Sequence, residues 1–259
     1  MAKDQLLALS TYFRNIAQNW LFPATCRLCC ATTGNGCSVC RPCYEELPWI
    51  SPGCTTCGIP LPEDGTLPLC ESCQRQPPVL DRCQALFDYH APVDQWICGL
   101  KFHGDLTLAK LLGQLLAERV PDGNNTLLVP VPLHPRRLRE RGFNQALEIA
   151  RPLRRRGYII DPHCCSRTLH TPPQSSLPAK ARRHNLRDAF RVHHQVTGKN
   201  IVLIDDVFTT GSTLNTLAAC LREAGAAHIE AWVIARTPEP GRRRAEDVTG
   251  SGQYIKGRQ

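Results

Sequence analysis

Long apolar runs are missing from this sequence of 259 residues. Its most apolar stretches, such as TLLVPVPL from residue 126, are far shorter than the roughly 20 residues that span a bilayer. The start, MAKDQLLALSTYF, has only a short apolar patch interrupted by polar residues, and it lacks a cleavage-site pattern. These absences predict a cytoplasmic protein with neither a membrane span nor a signal peptide.

Acidic residues are in short supply relative to basic ones. Lys and Arg number 31 against 23 Asp and Glu, which gives a net charge of +8. Much of the excess lies in three stretches: LHPRRLRERGF, ARPLRRRGY and PAKARRHNLRDAFR. Such clusters favour partners that carry phosphate, either nucleotides or nucleic acid, although a solvated basic face is the simpler alternative for any one of them.

Cysteine, by contrast, is abundant. Fifteen cysteines in a chain without an export signal do not predict a disulfide framework, because cytoplasmic thiols stay reduced and the number is odd. Residues 24–78 are rich in Cys, Pro and Gly and contain few aliphatic residues. Because this region cannot bury an ordinary apolar core, we expect bound metal to hold it together.

Four Cys-x-x-Cys pairs, CRLC, CRPC, CTTC and CESC, occur in this region. Two such pairs, separated by a short spacer, can supply the four thiolates of a tetrahedral zinc site. Pairing them in sequence predicts two sites, although a crossed pairing, redox dithiols or an iron-sulfur cluster remain alternatives. Cys37 begins an overlapping CSVC, but using it would strand Cys43. The predicted ligands are Cys26, Cys29, Cys40 and Cys43 for the first site and Cys54, Cys57, Cys70 and Cys73 for the second.

Strand-like and helix-like stretches alternate from residue 83 to residue 236. Buried strands are predicted at 83–89, 126–132, 200–205 and 229–235. Helices are predicted in GDLTLAKLLGQLLAERV, in NQALEIA, where Pro152 should cause a kink or an early end, and in GSTLNTLAACLREAG. This order predicts an α/β fold with a doubly wound parallel sheet, preceded by a small double zinc ribbon, and ligands at the carboxyl ends of the strands.

The whole chain thus divides into four predicted segments. Leu6, Leu9, Phe13, Ile16 and Trp20 recur at helical steps and predict a packing helix within residues 1–23. The tail is rich in Pro, Gly and Arg without periodicity, which predicts disorder. The segments are the helix at 1–23, the zinc ribbons at 24–78, the sheet domain at 83–236 and the basic tail at 237–259.

The stretch IVLIDDVFTTGSTL carries the clearest chemistry. A buried strand delivers Asp205 and Asp206 to its carboxyl end, and a turn rich in hydroxyls leads into a helix. Thr209, Thr210, Ser212 and Thr213, with the first amides of the helix, can cradle an anion, and Gly211 allows a phosphate to approach the backbone. A sugar phosphate would satisfy both halves of the site. A simple helix cap is one alternative; a Walker-type strand is excluded because no G-x-x-x-x-G-K-[ST] motif occurs.

VLIDDVFTTGST resembles the ribose-phosphate signature of the type I phosphoribosyltransferases, with Phe208 as a minor departure. LKFHGD, VPVPLHPRRLRERGFNQALEIA, TPPQSSLPAKARRHNLRDAF and the Cys-rich region are similar to the ComF family. The resemblance covers residues 24 to about 236. It implies phosphoribosyl pyrophosphate (PRPP) with Mg²⁺ as ligand, zinc in the ribbons, and a role in DNA uptake during natural competence or in nucleotide salvage.

The resemblance also implies roles for individual residues. Asp205 and Asp206 are the candidate catalytic residues and would hold the ribose hydroxyls, while Thr209 to Thr213 would bind the 5′-phosphate. Val207 and Phe208 are further candidate substrate-binding residues. The turn at Leu133, His134, Arg136 and Arg137 would face the pyrophosphate. A mobile lid would span Thr171 to Arg187 and carry Lys180, Arg182 and Arg183.

Two functional hypotheses follow. The first is a PRPP-binding protein that transfers a phosphoribosyl group, which needs positioning and neutralisation of the leaving pyrophosphate. The second is a nucleic-acid module in which the zinc ribbons and basic clusters contact single-stranded DNA, possible partners include other DNA-uptake proteins, and the PRPP site is a non-catalytic sensor. No base-binding segment is recognisable, so the sequence leaves the acceptor open.

Overall fold

The centre of the fold is a parallel sheet. The computed structural model describes residues 25–33, 38–62, 68–123, 126–168 and 189–238. Its strands are β1 (Arg82–Asp88), β2 (Thr126–Pro130), β3 (Ile159–Ile160), β4 (Cys165–Arg167), β5 (Phe190–Val192), β6 (Asn200–Phe208) and β7 (His228–Arg236). Five of them form one sheet in the order β1-β7-β6-β2-β3, and every neighbouring pair is parallel. The predicted parallel sheet is therefore confirmed. β4 and β5 form a separate antiparallel pair.

The helices alternate with these strands along the chain. They are α1 (Arg41–Glu45), α2 (Glu71–Arg75), α3 (Val93–His103), α4 (Leu106–Arg119), α5 (Pro135–Arg141), α6 (Gln145–Ala150) and α7 (Ser212–Glu223), and a 3-10 helix (Arg151–Arg156) follows α6. Helices α6 and α7 both pack against the sheet, α6 on β6 and β2 and α7 on β7. The apolar side chains of the central strands β6 and β7 are almost completely buried.

The sequence predicted the long helices well. The carboxylate of Asp105 accepts a hydrogen bond from the backbone N–H of Thr107 and so caps α4. The inward face predicted for α7 is buried as expected: Leu214, Leu217, Ala218 and Leu221. The early end expected for the helix in NQALEIA is also confirmed, since α6 stops at Ala150 and Pro152 lies in the 3-10 helix.

Two local predictions differ from the structure. The strand predicted at 200–205 continues to Phe208, because β6 keeps pairing with β7 after β2 has ended. The predicted turn from Leu133 to Arg137 is largely helical, because His134 caps α5 and Pro135, with its fixed φ, occupies the first helical position.

The chain divides into two compact units, Met1–Leu47 and Pro48–Gln259. The predicted helix at 1–23, the predicted lid and almost all of the predicted tail lie outside the described residues, so they stay predictions. None of the helices in the described ranges is both long and apolar enough to cross a membrane.

Candidate metal and sugar-phosphate sites

The first four-cysteine cluster lies in the smaller unit. The Sγ atoms of Cys26, Cys29, Cys40 and Cys43 all lie within 4.8 Å of one another. A tight turn presents the first pair, with the N–H of Cys30 bonded to the carbonyl of Cys26 at 3.0 Å. The second pair begins at the N-terminal end of α1, where Cys40 is the capping residue. The Sγ atoms of Cys29 and Cys40 are 3.5 Å apart, so the two pairs meet at one point.

The second cluster repeats this arrangement in the larger unit and is more deeply buried. Cys54, Cys57, Cys70 and Cys73 are all buried, and their Sγ atoms also lie within 4.8 Å of one another. Cys70 caps α2, and its N–H donates to the Sγ of Cys54 at 3.3 Å. The Sγ atoms of Cys57 and Cys70 are 3.6 Å apart. Each cluster brings together two Cys-x-x-Cys pairs that are neighbours in sequence, as the sequential pairing expects. Cys37 lies outside the described residues.

Both clusters fit a tetrahedral zinc ion. Zn–S bonds of about 2.3 Å place neighbouring sulfurs about 3.8 Å apart, close to the separations observed here. Burial opposes ionisation of Cys26, but hydrogen bonds from backbone amides outweigh it and lower the pKa of this thiol to about 6. Burial together with the charges of Cys54 and Cys70 raises the pKa of Cys57 to about 12. A dication at the centre of the cluster removes this repulsion between neighbouring thiolates.

The carboxylate pair lies at the carboxyl end of the sheet. β2 ends at Pro130, which pairs with Ile204, so the two aspartates of β6 lie just beyond that end. Asp206 is 3% exposed, and its Oδ2 forms an ion pair with the Nζ of Lys101 from α3 at 2.8 Å. A carboxylate of Asp205 accepts a hydrogen bond from the N–H of Asp206 at 2.9 Å. The site therefore joins β6 to the C-terminal end of α3.

The two carboxylates affect each other's ionisation. Burial and the adjacent charge of Asp206 raise the pKa of Asp205 to about 8, although the charge of Lys101 acts in the opposite direction. A carboxyl group with so high a pKa is only partly ionised at neutral pH. A ligand that donates hydrogen bonds or brings positive charge to Asp205 will therefore favour loss of its proton.

Two arginines, Arg141 and Arg167, lie within electrostatic range of this pair, and Arg137 lies within range of both arginines. Burial lowers the pKa values of Arg141 and Arg167, and the charge of Arg137 lowers both further. The charge of Asp205 raises both, which shows that these cations lie near the carboxylates. Arg141 also donates a hydrogen bond to the side chain of Gln145. Two carboxylates within a group of cations suit a ligand that offers both hydroxyl donors and anionic groups.

The loop that follows β6 has the features of an anion site. Gly211 has φ +74° and caps α7, and a Cβ at this position would lie 2.5 Å from the ring of Phe208. Only glycine fits both conditions. Thr209, Thr210 and Ser212 are exposed, and the hydroxyls of Thr210 and Ser212 lie 3.2 Å apart. The first amides of this twelve-residue helix, together with these hydroxyls, can bind a phosphate.

The predicted pyrophosphate-side residues separate into two groups. His134 accepts a hydrogen bond from the N–H of Arg136 at 3.2 Å, and Arg136 pairs with Glu140 at 2.9 Å on the exposed face of α5. Arg137, by contrast, is the cation whose charge reaches Arg141 and Arg167. Arg137 therefore lies close enough to Arg141 and Arg167 for its charge to act on theirs, while Arg136 pairs with Glu140 on its own helix. Leu133 lies in the short connection before α5, half-buried.

Sequence reasoning gave no role at this site to three basic residues that lie near the carboxylates. Lys101 stood in the quoted LKFHGD stretch but carried no predicted role, and Arg141 was assigned only to a basic cluster. Arg167 belongs to no motif in the sequence. No local signal distinguishes these residues from the other basic residues of the chain. Lys180, Arg182 and Arg183 lie outside the described residues.

Comparison with known proteins supports the assignment of a zinc-ribbon region and a phosphoribosyltransferase domain. Residues 17–83 match the family described as a double zinc ribbon domain, and residues 167–253 match the phosphoribosyl transferase domain. The chain is 34% identical over 224 residues to the DNA utilization protein YhgH of Escherichia coli K12, covering 83% of this chain and 98% of that protein. It is 32% identical to competence protein F of Haemophilus influenzae, covering 77% and 90% of the two chains.

A more distant relative and a solved structure complete the comparison. Competence protein ComFC of Bacillus subtilis is 29% identical over 218 residues, covering 77% of this chain and 84% of that protein. A hypoxanthine-guanine phosphoribosyltransferase structure from Bacillus anthracis aligns at 16% identity with a TM-score of 0.36, covering 55% of this chain and 78% of that one. Since this structural similarity is low, the family relationship rests on the sequence relatives.

Proposed function

Because this chain belongs to the ComF family of competence and DNA-utilisation proteins, we propose that it binds PRPP with Mg²⁺ and acts in DNA uptake. The observation that carries the proposal is the pairing of Asp205 and Asp206 with the anion loop at one end of the sheet. The family matches assign a phosphoribosyltransferase domain to this part of the chain. A cytoplasmic location and contacts with other DNA-uptake proteins belong to the same proposal.

Each half of the site has a role in this proposal. The carboxylates of Asp205 and Asp206 accept hydrogen bonds from the two ribose hydroxyls. The amides at the start of α7 and the hydroxyls of the loop donate to the 5′-phosphate. Arg137 and Arg141 offset the negative charge of the pyrophosphate. When bound with the ligand, Mg²⁺ supplies further neutralisation of the pyrophosphate oxygens.

A pH series tests this assignment. We expect wild-type protein to bind PRPP in the presence of Mg²⁺ and the affinity to rise about tenfold between pH 7 and pH 9. The sign follows from the raised pKa of Asp205: the ribose hydroxyls bind its carboxylate form, so binding releases a proton and tightens as the pH rises. The ligand's own phosphates, with second pKa values near 6, are already ionised across most of this range. Isothermal titration calorimetry in buffers of different ionisation enthalpy measures both affinity and proton release.

Asp205→Asn is the matched control for the pH series. Its amide cannot titrate, while the cations that face the position, Lys101, Arg141 and Arg167, are unchanged. We expect a weaker affinity that no longer changes with pH. Absence of PRPP binding to the wild type at any pH would refute the proposed function, and an unchanged pH slope in the variant would refute the role of Asp205.

A second function is favoured by the exposed face of α5. Arg136, Arg137, Leu138 and Arg139 are all exposed on this helix. Exposed arginines suit single-stranded nucleic acid, because they neutralise its phosphates and can stack on its bases. Relatives of the chain carry the names DNA utilization protein and competence protein. We infer that this face, together with the zinc ribbons, contacts single-stranded DNA.

Two double charge reversals separate the ligands. We expect Arg182→Glu with Arg183→Glu to weaken PRPP binding strongly, because these residues belong to the predicted lid. We expect Arg136→Glu with Arg139→Glu to lower affinity for single-stranded DNA and to flatten its salt dependence by about 0.7 in logarithmic slope per lost phosphate contact. Calorimetry with PRPP, and fluorescence anisotropy with a labelled oligonucleotide at two salt concentrations, provide the measurements.

The opposite pattern would reverse these roles. If Arg182→Glu with Arg183→Glu leaves PRPP affinity unchanged but flattens the salt dependence of DNA binding, the lid binds DNA rather than PRPP.

Pyrophosphate release from PRPP, measured with nucleobases and with DNA present, distinguishes a transferase from a non-catalytic sensor. Release that depends on an acceptor identifies a transferase, whereas binding without release identifies a sensor.

A further inference from the structure

Arg236 occupies an unusual position at the end of β7. Its side chain is 4% exposed, and its Nε donates to the carbonyl oxygen of Cys57 at 3.0 Å. Another nitrogen of the same guanidinium donates to the carbonyl oxygens of Phe208 at 3.2 Å and Thr209 at 2.7 Å. One buried cation therefore binds both a ligand residue of the second cysteine cluster and the first residues of the phosphate loop.

The contact continues into the loop through an aromatic ring. The guanidinium carbon of Arg236 lies 4.7 Å from the centre of the Phe208 ring. That ring lies directly beneath Gly211, since a Cβ built on the glycine would be 2.5 Å from it. Arg236 thus contacts the carbonyl oxygens of Phe208 and Thr209 and the ring of Phe208. These groups lie directly before and against the left-handed turn at Gly211. The amides that would bind the phosphate belong to the first residues of α7, directly after Gly211.

The second cluster also supplies the charge that a buried guanidinium needs. In the described part of the chain, the hydrogen-bond acceptors of Arg236 are backbone carbonyl oxygens, which carry no net charge. A buried cation without an opposite charge is costly. Four thiolates around Zn²⁺ carry a formal net charge of −2, and Cys57 is one of those ligands. A filled zinc site would therefore supply an anionic neighbour for Arg236.

We propose that Arg236 is a positioning residue that couples the second zinc site to the phosphate loop, so that zinc at Cys54, Cys57, Cys70 and Cys73 and PRPP at the loop stabilise each other. This inference rests on the proposed function. Because coupling between two binding sites is reciprocal, PRPP must strengthen the retention of zinc by the same factor as zinc strengthens the binding of PRPP.

Zinc release is the first test. The full-length wild type is mixed with a colorimetric zinc chelator, with and without PRPP and Mg²⁺. We expect PRPP to raise the apparent zinc affinity of one of the two sites, measured from the zinc released at equilibrium with the chelator, by about fivefold or more and to leave the other site unchanged. In Arg236→Gln, which removes the charge and most of the donors, this protection is expected to disappear. Equal release with and without PRPP, in a wild type that binds PRPP, overturns the proposal.

PRPP affinity of the variants is the second test. We expect Arg236→Gln to bind PRPP about fivefold or more weakly, and Arg236→Lys, which keeps the charge, to recover part of the loss. Arg75→Gln is the matched control, because Arg75 belongs to the same ribbon but is exposed. Hydrogen exchange at the amides of residues 209–213 should be faster in Arg236→Gln only. If Arg236→Gln fails to fold, the wild-type release measurement still decides; if the wild type does not bind PRPP, the proposed function fails instead.

Discussion

Replacing Asp206 by Asn is expected to weaken PRPP binding about tenfold or more. The residue is 3% exposed, so its carboxylate would contribute a charge-assisted hydrogen bond to a ribose hydroxyl with little competition from water. Such bonds contribute roughly 1.5 to 3 kcal/mol. The substitution also removes the anion that lies 2.8 Å from the Nζ of Lys101, a side chain that is only 23% exposed. Calorimetry at saturating Mg²⁺ measures the affinity.

Asp122→Asn is a suitable control because it is the same chemical change at an exposed position. The side chain of Asp122 is 78% exposed, where it pairs with Arg156 outside the site. We expect no change in PRPP affinity for this variant. Equal affinities for the wild type and Asp206→Asn would contradict the assignment of Asp206 to the ribose.

Loss of the second zinc site is expected to have the largest effect on stability. Freshly prepared wild type should contain two zinc ions per chain, and Cys54→Ser with Cys70→Ser should contain one. Zinc binding to a structural four-ligand site provides on the order of 10 kcal/mol or more of folding free energy. Because this cluster is buried within the larger compact unit, we expect the unfolding temperature of that unit to fall by about 10 °C or more. Elemental analysis and calorimetric scanning measure the two quantities.

The first site provides the matched comparison. Cys26→Ser with Cys40→Ser removes the equivalent thiolates from the smaller unit, so the zinc content should again fall to one. We expect the unfolding transition of the larger unit to stay where it is in the wild type. Less than one zinc per chain in the wild type, or equal effects of the two double variants on the larger unit, would show that the clusters do not have the separate structural roles proposed here.

Local sequence determined much of the protein. The spacing of the four Cys-x-x-Cys pairs predicted both metal-binding clusters, because two intervening residues place both thiols of a turn on one side. The apolar run before Asp205 and the Gly211 turn after it predicted a strand, a loop and a helix. These features are determined by neighbours within a few residues, so the sequence alone carries them.

The tertiary structure decided which distant residues complete the sites. Lys101 reaches Asp206 only because α3 ends beside the carboxyl end of β6, and Arg236 reaches Cys57 only because β7 ends beside the second cluster. Each of these pairs is more than 100 residues apart in sequence. Their contact depends on strand order and on helix packing, which follow from burying the whole core rather than from any local pattern. A basic residue at the end of a strand or helix therefore gained its role only when the chain folded.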